Sequence, residues 1–214
     1  MTRRLHAFVL AGVFTAPTFL DEFRTGVVRL LETEGWDAQA DAVFPYGDWG
    51  RSRLRQAAEI ALDCCRPTLG GRRALACFAE RRTDGREPIA LIGHSGGAVA
   101  AVHAAERLRA DGANVAAVVM IGSPKTPIPS GLREATLFLY AGTDPVARLG
   151  FWRGKPPGRA LALATVGGHT DYFRSKPPFV NADGRSNLAV TLAATAGWLK
   201  ERLSDRGGVR IGGS

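Results

Sequence analysis

Gly93-His94-Ser95-Gly96-Gly97 places a serine between glycines two positions to either side, directly after the apolar run Pro88 to Ile92 and directly before Ala98 to Val102. A serine so placed at a strand-to-helix junction is a nucleophile elbow. The backbone bends sharply enough to lift the hydroxyl above the sheet end, and only small neighbours fit around the bend. A hydroxyl is a weak nucleophile at neutral pH, so an imidazole must take its proton and a carboxylate must hold that imidazole in the right tautomer. Of the histidines, His6 falls inside the first apolar run, His94 inside the elbow and His103 on the helix that follows. His169 stands just past the last strand-like run, behind Gly167-Gly168, which permit a tight turn. The acid is expected at Asp144, beyond the run Leu137 to Tyr140 and stiffened by Pro145. Asp171 and Asp183 compete for that role, and Asp144 could instead be an ordinary turn aspartate bonded to its own backbone. Asp171 is too close to His169 in sequence to sit easily on the far side of the ring.

Attack by such a serine puts negative charge on a carbonyl oxygen, and preorganised amides there are worth ~3 kcal/mol each. Gly96, directly after the nucleophile, offers one amide. The turn after the first strand, Gly12-Val13-Phe14, offers the second through Val13 or Phe14, and the sequence does not decide between them. Two loops carry aromatics that could wall an acyl pocket: Phe151 and Trp152 in one, Tyr172 in the other. Together with Arg153, Arg174 and Lys176 they would favour an anionic ester; the alternative is that the aromatics anchor their loops to the body. Pro45 to Trp49 is expected to line a third side.

These residues need a scaffold. Apolar runs at Leu5–Ala11, Ala38–Phe44, Ile89–Ile92, Val115–Ile121, Thr136–Tyr140 and Ala160–Val166 read as strands. Between them Phe19–Thr33, Arg53–Cys65 and Gly97–Ala110 read as helices, and a last helix starts near Asn187 as its N-cap. The Gly/Arg-rich stretch 68–87 resists assignment, although Ala74 to Arg81 could add a helix. Such alternation predicts an α/β class: a doubly wound, mostly parallel central sheet with helices on both faces. Working residues should then gather at the carboxyl ends of the strands. The 214 residues suit one domain, 1–204, followed by a tail over 205–214 with too little apolar content to pack and expected to be mobile.

Composition excludes several classes. Hydrophobic residues make up 45% of the chain, which argues for a substantial core rather than a disordered or fibrous chain. The formal charge of +8 comes mostly from arginine spread along the whole chain, with lysine only at 125, 155, 176 and 200. Without a clustered basic face or a nucleic-acid-binding motif, no nucleic-acid partner is expected. Three cysteines, two of them adjacent, show neither a disulfide framework nor metal spacing. No metal or other cofactor is expected, and the thiols suggest a reducing, cytoplasmic setting. Secretion is the alternative if residues 1–16 act as a signal peptide, but Leu5 to Ala11 reads better as the first strand. No run reaches the ~18 apolar residues of a membrane span.

The elbow with Ala101 and Leu108, then Gly122-Ser123-Pro124, then Asp144-Pro145-Val146, resembles the α/β-hydrolase superfamily, and within it fungal-type triacylglycerol lipases and their bacterial relatives. The chain order Ser95, Asp144, His169 is the one that superfamily uses. The resemblance implies Ser95 as nucleophile, Asp144 as acid and His169 as base of a serine hydrolase cleaving carboxylic esters through an acyl-enzyme. This sequence departs from the lipases in the spacing after the serine, in its shorter N-terminal part and in the missing helical lid. With no large cap domain, the site should be open and take small or surface-presented acyl groups. A thioesterase, amidase or acyltransferase would use the same constellation. A noncatalytic binding module on the same scaffold is the reading from a different class.

Overall fold

A computed structural model describes residues 3–65, 69–81, 87–150, 152 and 154–207. Six strands form one parallel sheet: β1 (Arg3–Leu10), β2 (Trp36–Val43), β3 (Ile89–His94), β4 (Val115–Ile121), β5 (Thr136–Ala141) and β6 (Arg159–Leu163). Their spatial order is β2-β1-β3-β4-β5-β6. From β1 the chain first builds outward to β2 and then returns to place β3 on the other side. The crevice between the carboxyl ends of β1 and β3 is therefore the topological switch point, the expected position of a site in an open parallel sheet.

Helices cover both faces because the buried strands are apolar on both. In β1, Leu5, Ala7 and Val9 pack with Phe23, Val27 and Leu31 of α1 (Asp21–Thr33) and with Trp198, Leu199 and Leu203 of α5 (Asn187–Gly207). The alternate residues Phe8 and Leu10 face the other way. They pack with Ala74 and Phe78 of α3 (Leu69–Arg81) and with the alanine-rich α4 (Gly96–Ala110). Both β3 and β4 are buried along their whole length, as strands covered on two faces must be. Edge strand β6 is mostly exposed; its Arg159 pairs with Glu201 and stacks over Trp198 of α5.

The remaining helix, α2 (Arg53–Cys65), packs against α3 and α4. Helix α3 has Gly70 and Gly71 in its first turn, within the Gly/Arg-rich stretch that resists assignment from sequence. Packing explains them: a side-chain carbon at Gly71 would lie 2.8 Å from His103 Cβ on α4. Asp63 of α2 accepts the N–H groups of Leu69 and Gly70 at 2.9 and 2.6 Å, so a side chain from another helix caps α3. The unassigned stretch thus holds a full helix that starts before Ala74. At the other end of the chain, β6 stops at Leu163, short of Val166, because the amide of Asn187 takes both backbone groups of Val166. Asn187 is therefore not the cap of α5; Ser186 Oγ accepts the Ala189 N–H at 3.2 Å in that role. The tail expected over 205–214 lies outside the described residues from 208 onward. No helix among the described residues is long and apolar enough to cross a membrane.

Candidate active site

Ser95 sits between β3 and α4 with φ 55° and ψ −129°, a left-handed bend in a non-glycine residue. The neighbouring glycines make that bend possible. A side-chain carbon at Gly93 would collide with the backbone of Ala98, and one at Gly97 with the carbonyl oxygens of Leu10 and Ala11. Gly12 is equally constrained, since its added carbon would lie 2.8 Å from Ser95 Cβ. The switch-point crevice is thus closed onto the serine by backbone alone.

Three side chains from distant parts of the chain meet there. His169 Nδ1 lies 3.1 and 3.0 Å from the two carboxylate oxygens of Asp144, and His169 Nε2 lies 2.8 Å from Ser95 Oγ. A ring nitrogen facing a carboxylate carries the proton, which leaves Nε2 to accept from the serine hydroxyl. Asp144 is fully buried, following β5. Burial pushes its carboxyl up, but hydrogen bonds from His169 and Tyr172, the His169 charge and the Val146 N–H outweigh it and hold Asp144 below its ordinary value. It also sits in a turn, its Oδ1 accepting the N–H of Val146 two residues on. Asp171 accepts the Gly168 N–H at 2.8 Å and shapes the turn under His169. Asp183 is exposed, and its N–H donates to Asn181 Oδ1.

The loop carrying His169 is held by buried groups. Asn187 bonds the N–H and carbonyl of Val166 and the carbonyl of Asp171 at 2.6 to 2.8 Å. His94 Nε2 donates to the His169 carbonyl at 3.1 Å, and the two rings stack 5.0 Å apart. Burial, with help from the nearby His169 charge, pushes His94 down to about 3. Burial likewise pushes His103 on α4 down to about 4. Both are neutral in the fold yet protonate in the unfolded chain near pH ~6.5, so below that pH the unfolded state binds more protons and acid erodes stability. The urea midpoint should accordingly fall between pH 7 and pH 5; a flat or rising midpoint would contradict the two burials.

Tyr172 overturns a sequence expectation. It is 1% exposed and is not among the residues lining the cavity over Ser95; its hydroxyl donates to Asp144 Oδ2 at 2.7 Å and accepts the Ala141 N–H at 2.8 Å. Replacing it with phenylalanine strands the Ala141 N–H and leaves Asp144 Oδ2 with His169 alone, which should cost ~1–3 kcal/mol, read as a lower urea midpoint. An unchanged midpoint would contradict the arrangement. Trp152 is likewise not part of the cavity wall: it packs edge-on against Phe138, 5.0 Å away, anchoring its loop. Phe151 lies outside the described residues, as does Arg153. The turn donor is narrowed too. The Phe14 N–H donates to Gln56 Oε1 at 2.9 Å and is no longer available to an oxyanion. Of the two turn candidates, Val13 remains, opposite Gly96, whose amide begins α4 and so has no partner within the helix.

A cavity of about 890 Å³ opens over Ser95. Val13, Phe14, Phe19, Trp49, Val146 and Leu149 make much of it apolar, and Ile60, Ala61 and Cys64 of α2 add a wall that the sequence did not disclose. Lys125 and Arg174 bring positive charge to the lining. Gln56 and Asn187 were also missed. Their only signal was a lone amide side chain at a helix start or interior, which has no distinctive spacing.

A family profile described as thioesterase domain matches residues 73–136, the stretch from α3 through the elbow to the start of β5. No curated protein matches the sequence. Among solved structures, the chain is similar to the RedJ thioesterase from the prodiginine biosynthetic pathway of Streptomyces coelicolor, with TM-score 0.57 and 16% identity over 91% of this chain and 85% of that one. It is also similar to a chain described as m3DLH, with TM-score 0.61 and 18% identity over 94% and 88%. The type II thioesterase YbtT of the yersiniabactin pathway aligns with TM-score 0.45 and 12% identity over 94% and 92%. These matches do not show the expected likeness to fungal-type lipases. They show the scaffold: the chain has an α/β-hydrolase-like fold, with no large cap domain among the described residues.

Proposed function

We propose that this protein is a serine thioesterase, in which Ser95 attacks an acyl thioester and His169 and Asp144 move and hold the proton. The observation that carries the reading is the unbroken line from Ser95 Oγ through His169 to buried Asp144, at 2.8 and 3.0 Å. The thioesterase profile over residues 73–136 favours a thioester over the oxyester that the sequence suggested first.

In this mechanism His169 Nε2 takes the Ser95 proton as Oγ bonds to the carbonyl carbon. The resulting oxyanion is held by the amides of Gly96 and Val13. When the tetrahedral adduct collapses, the carbon–sulfur bond breaks and the proton on His169 passes to the departing thiolate. Water, deprotonated by the same imidazole, then releases the acid and restores Ser95. A thiolate is a good leaving group because its conjugate acid has a pKa near ~8.5, so this arrangement needs no stronger acid than imidazolium. Lys125 and Arg174 in the cavity lining suit a leaving group that carries negative charge.

The test compares kcat/KM for a thioester and an oxyester of the same acyl chain. The thioester should be preferred by at least tenfold; a matching preference for the oxyester would return the assignment to a carboxylic ester hydrolase.

A further inference from the structure

One wall of the cavity belongs to neither the triad nor the oxyanion turn. Ile60, Ala61 and Cys64 line it, and positions i, i+1 and i+4 share one face of α2. Leu62, on the same helix, is 66% exposed and points elsewhere. The wall is fixed in place. One turn before Ile60, buried Gln56 holds the Phe14 N–H and donates to the carbonyls of Asp48 and Arg51. One turn after Glu59, buried Asp63 accepts from the Tyr46 hydroxyl at 2.9 Å. Ile60 also reaches the residue after the nucleophile, since a side-chain carbon at Gly96 would lie 2.8 Å from Ile60 Cδ1.

The chemistry assigns the two flanks of Ser95. The leaving group must depart where His169 can protonate it, beside Thr170 and Arg174. The acyl chain then takes the opposite, apolar flank, toward α2. At about 890 Å³ the cavity is near the upper end of the ~300–1,000 Å³ range of small-molecule sites, far more than an acetyl group fills.

We propose that α2 is the acyl wall of this site and that Ala61 and Cys64 set the longest unbranched acyl chain it accepts. The proposal rests on the reading of Ser95 as the acyl-accepting nucleophile, but not on the identity of the leaving group.

Alkylphosphonofluoridates carrying methyl or octyl on phosphorus test it directly. Ser95 Oγ bonds to phosphorus, fluoride leaves and the proton passes to His169, so labelling reports the acyl flank without a thiol. The ratio of octyl to methyl labelling rates is insensitive to any misfolded fraction. It should fall at least about tenfold in Ala61→Phe and in Cys64→Phe, the size expected when an apolar pocket is shortened. In Leu62→Phe it should keep its unsubstituted value. A labelled Ser95 whose ratio is unmoved in both wall variants, or falls equally in Leu62→Phe, overturns the wall alone. Absence of labelling by either probe in the unsubstituted protein overturns the nucleophile reading and this proposal with it.

Discussion

Replacing Ser95 with alanine should lower kcat for thioester hydrolysis by roughly 10⁴ to 10⁶-fold, because it removes the atom that bonds to the substrate and leaves only the oxyanion donors and binding. The effect should be on chemistry alone. Alanine keeps the Cβ that packs against Gly12 and loses one hydrogen bond, from the hydroxyl to His169 Nε2. Steady-state kinetics beside urea unfolding would check this: a variant as stable as its parent but nearly inactive is expected, and one retaining a tenth or more of the activity would remove Ser95 from the mechanism.

Asp144→Asn should be almost as damaging, with kcat falling about 10⁴-fold, the loss found when the orienting carboxylate of such a triad becomes an amide. The local geometry explains why no rotation of the amide rescues it. Asp144 accepts from the Val146 N–H and His169 at Oδ1 and from the Tyr172 hydroxyl and His169 at Oδ2. An asparagine NH₂ at either position faces donors and repels one of them. The imidazole then turns its other tautomer toward the amide, and Nε2 carries a proton where it must accept one. Asp171→Asn offers the contrast. The Asp171 carboxylate accepts the Gly168 N–H and, at 3.5 Å, the Thr170 hydroxyl, and pairs distantly with Arg174; it touches neither His169 nor Ser95, so its loss should cost activity far less than 10⁴-fold. Equal losses in the two variants would contradict the assignment of Asp144.

Where the sequence was readable, the physics is local. A short uninterrupted apolar run that is rich in β-branched residues and bounded by turns reads as a strand buried on two faces, and β4 occupies Val115–Ile121 as read. The elbow was readable because its glycine spacing is local and Gly93 must clear Ala98 five residues on, although Gly97 also answers to the distant carbonyls of Leu10 and Ala11. The residues that read poorly answer to distant neighbours. Gly70 and Gly71 helped leave their stretch unassigned, because only α4 and Tyr46 packed against them call for glycine there. Tyr172 looked like a pocket aromatic because nothing nearby in sequence reveals that Asp144, 28 residues earlier, receives its hydroxyl. Gln56 decides which amide of the oxyanion turn stays open across 42 residues of chain. Position on a strand end could be read from periodicity, whereas the partner of a buried polar atom could not.

An activated Ser95 is detected by mapping the adduct of a fluorophosphonate probe with peptide mass spectrometry. A single stoichiometric adduct is expected on the peptide containing Ser95, abolished in Ser95→Ala and strongly slowed in His169→Ala. Labelling that persists in Ser95→Ala, or an unmodified Ser95 after prolonged exposure, would contradict it.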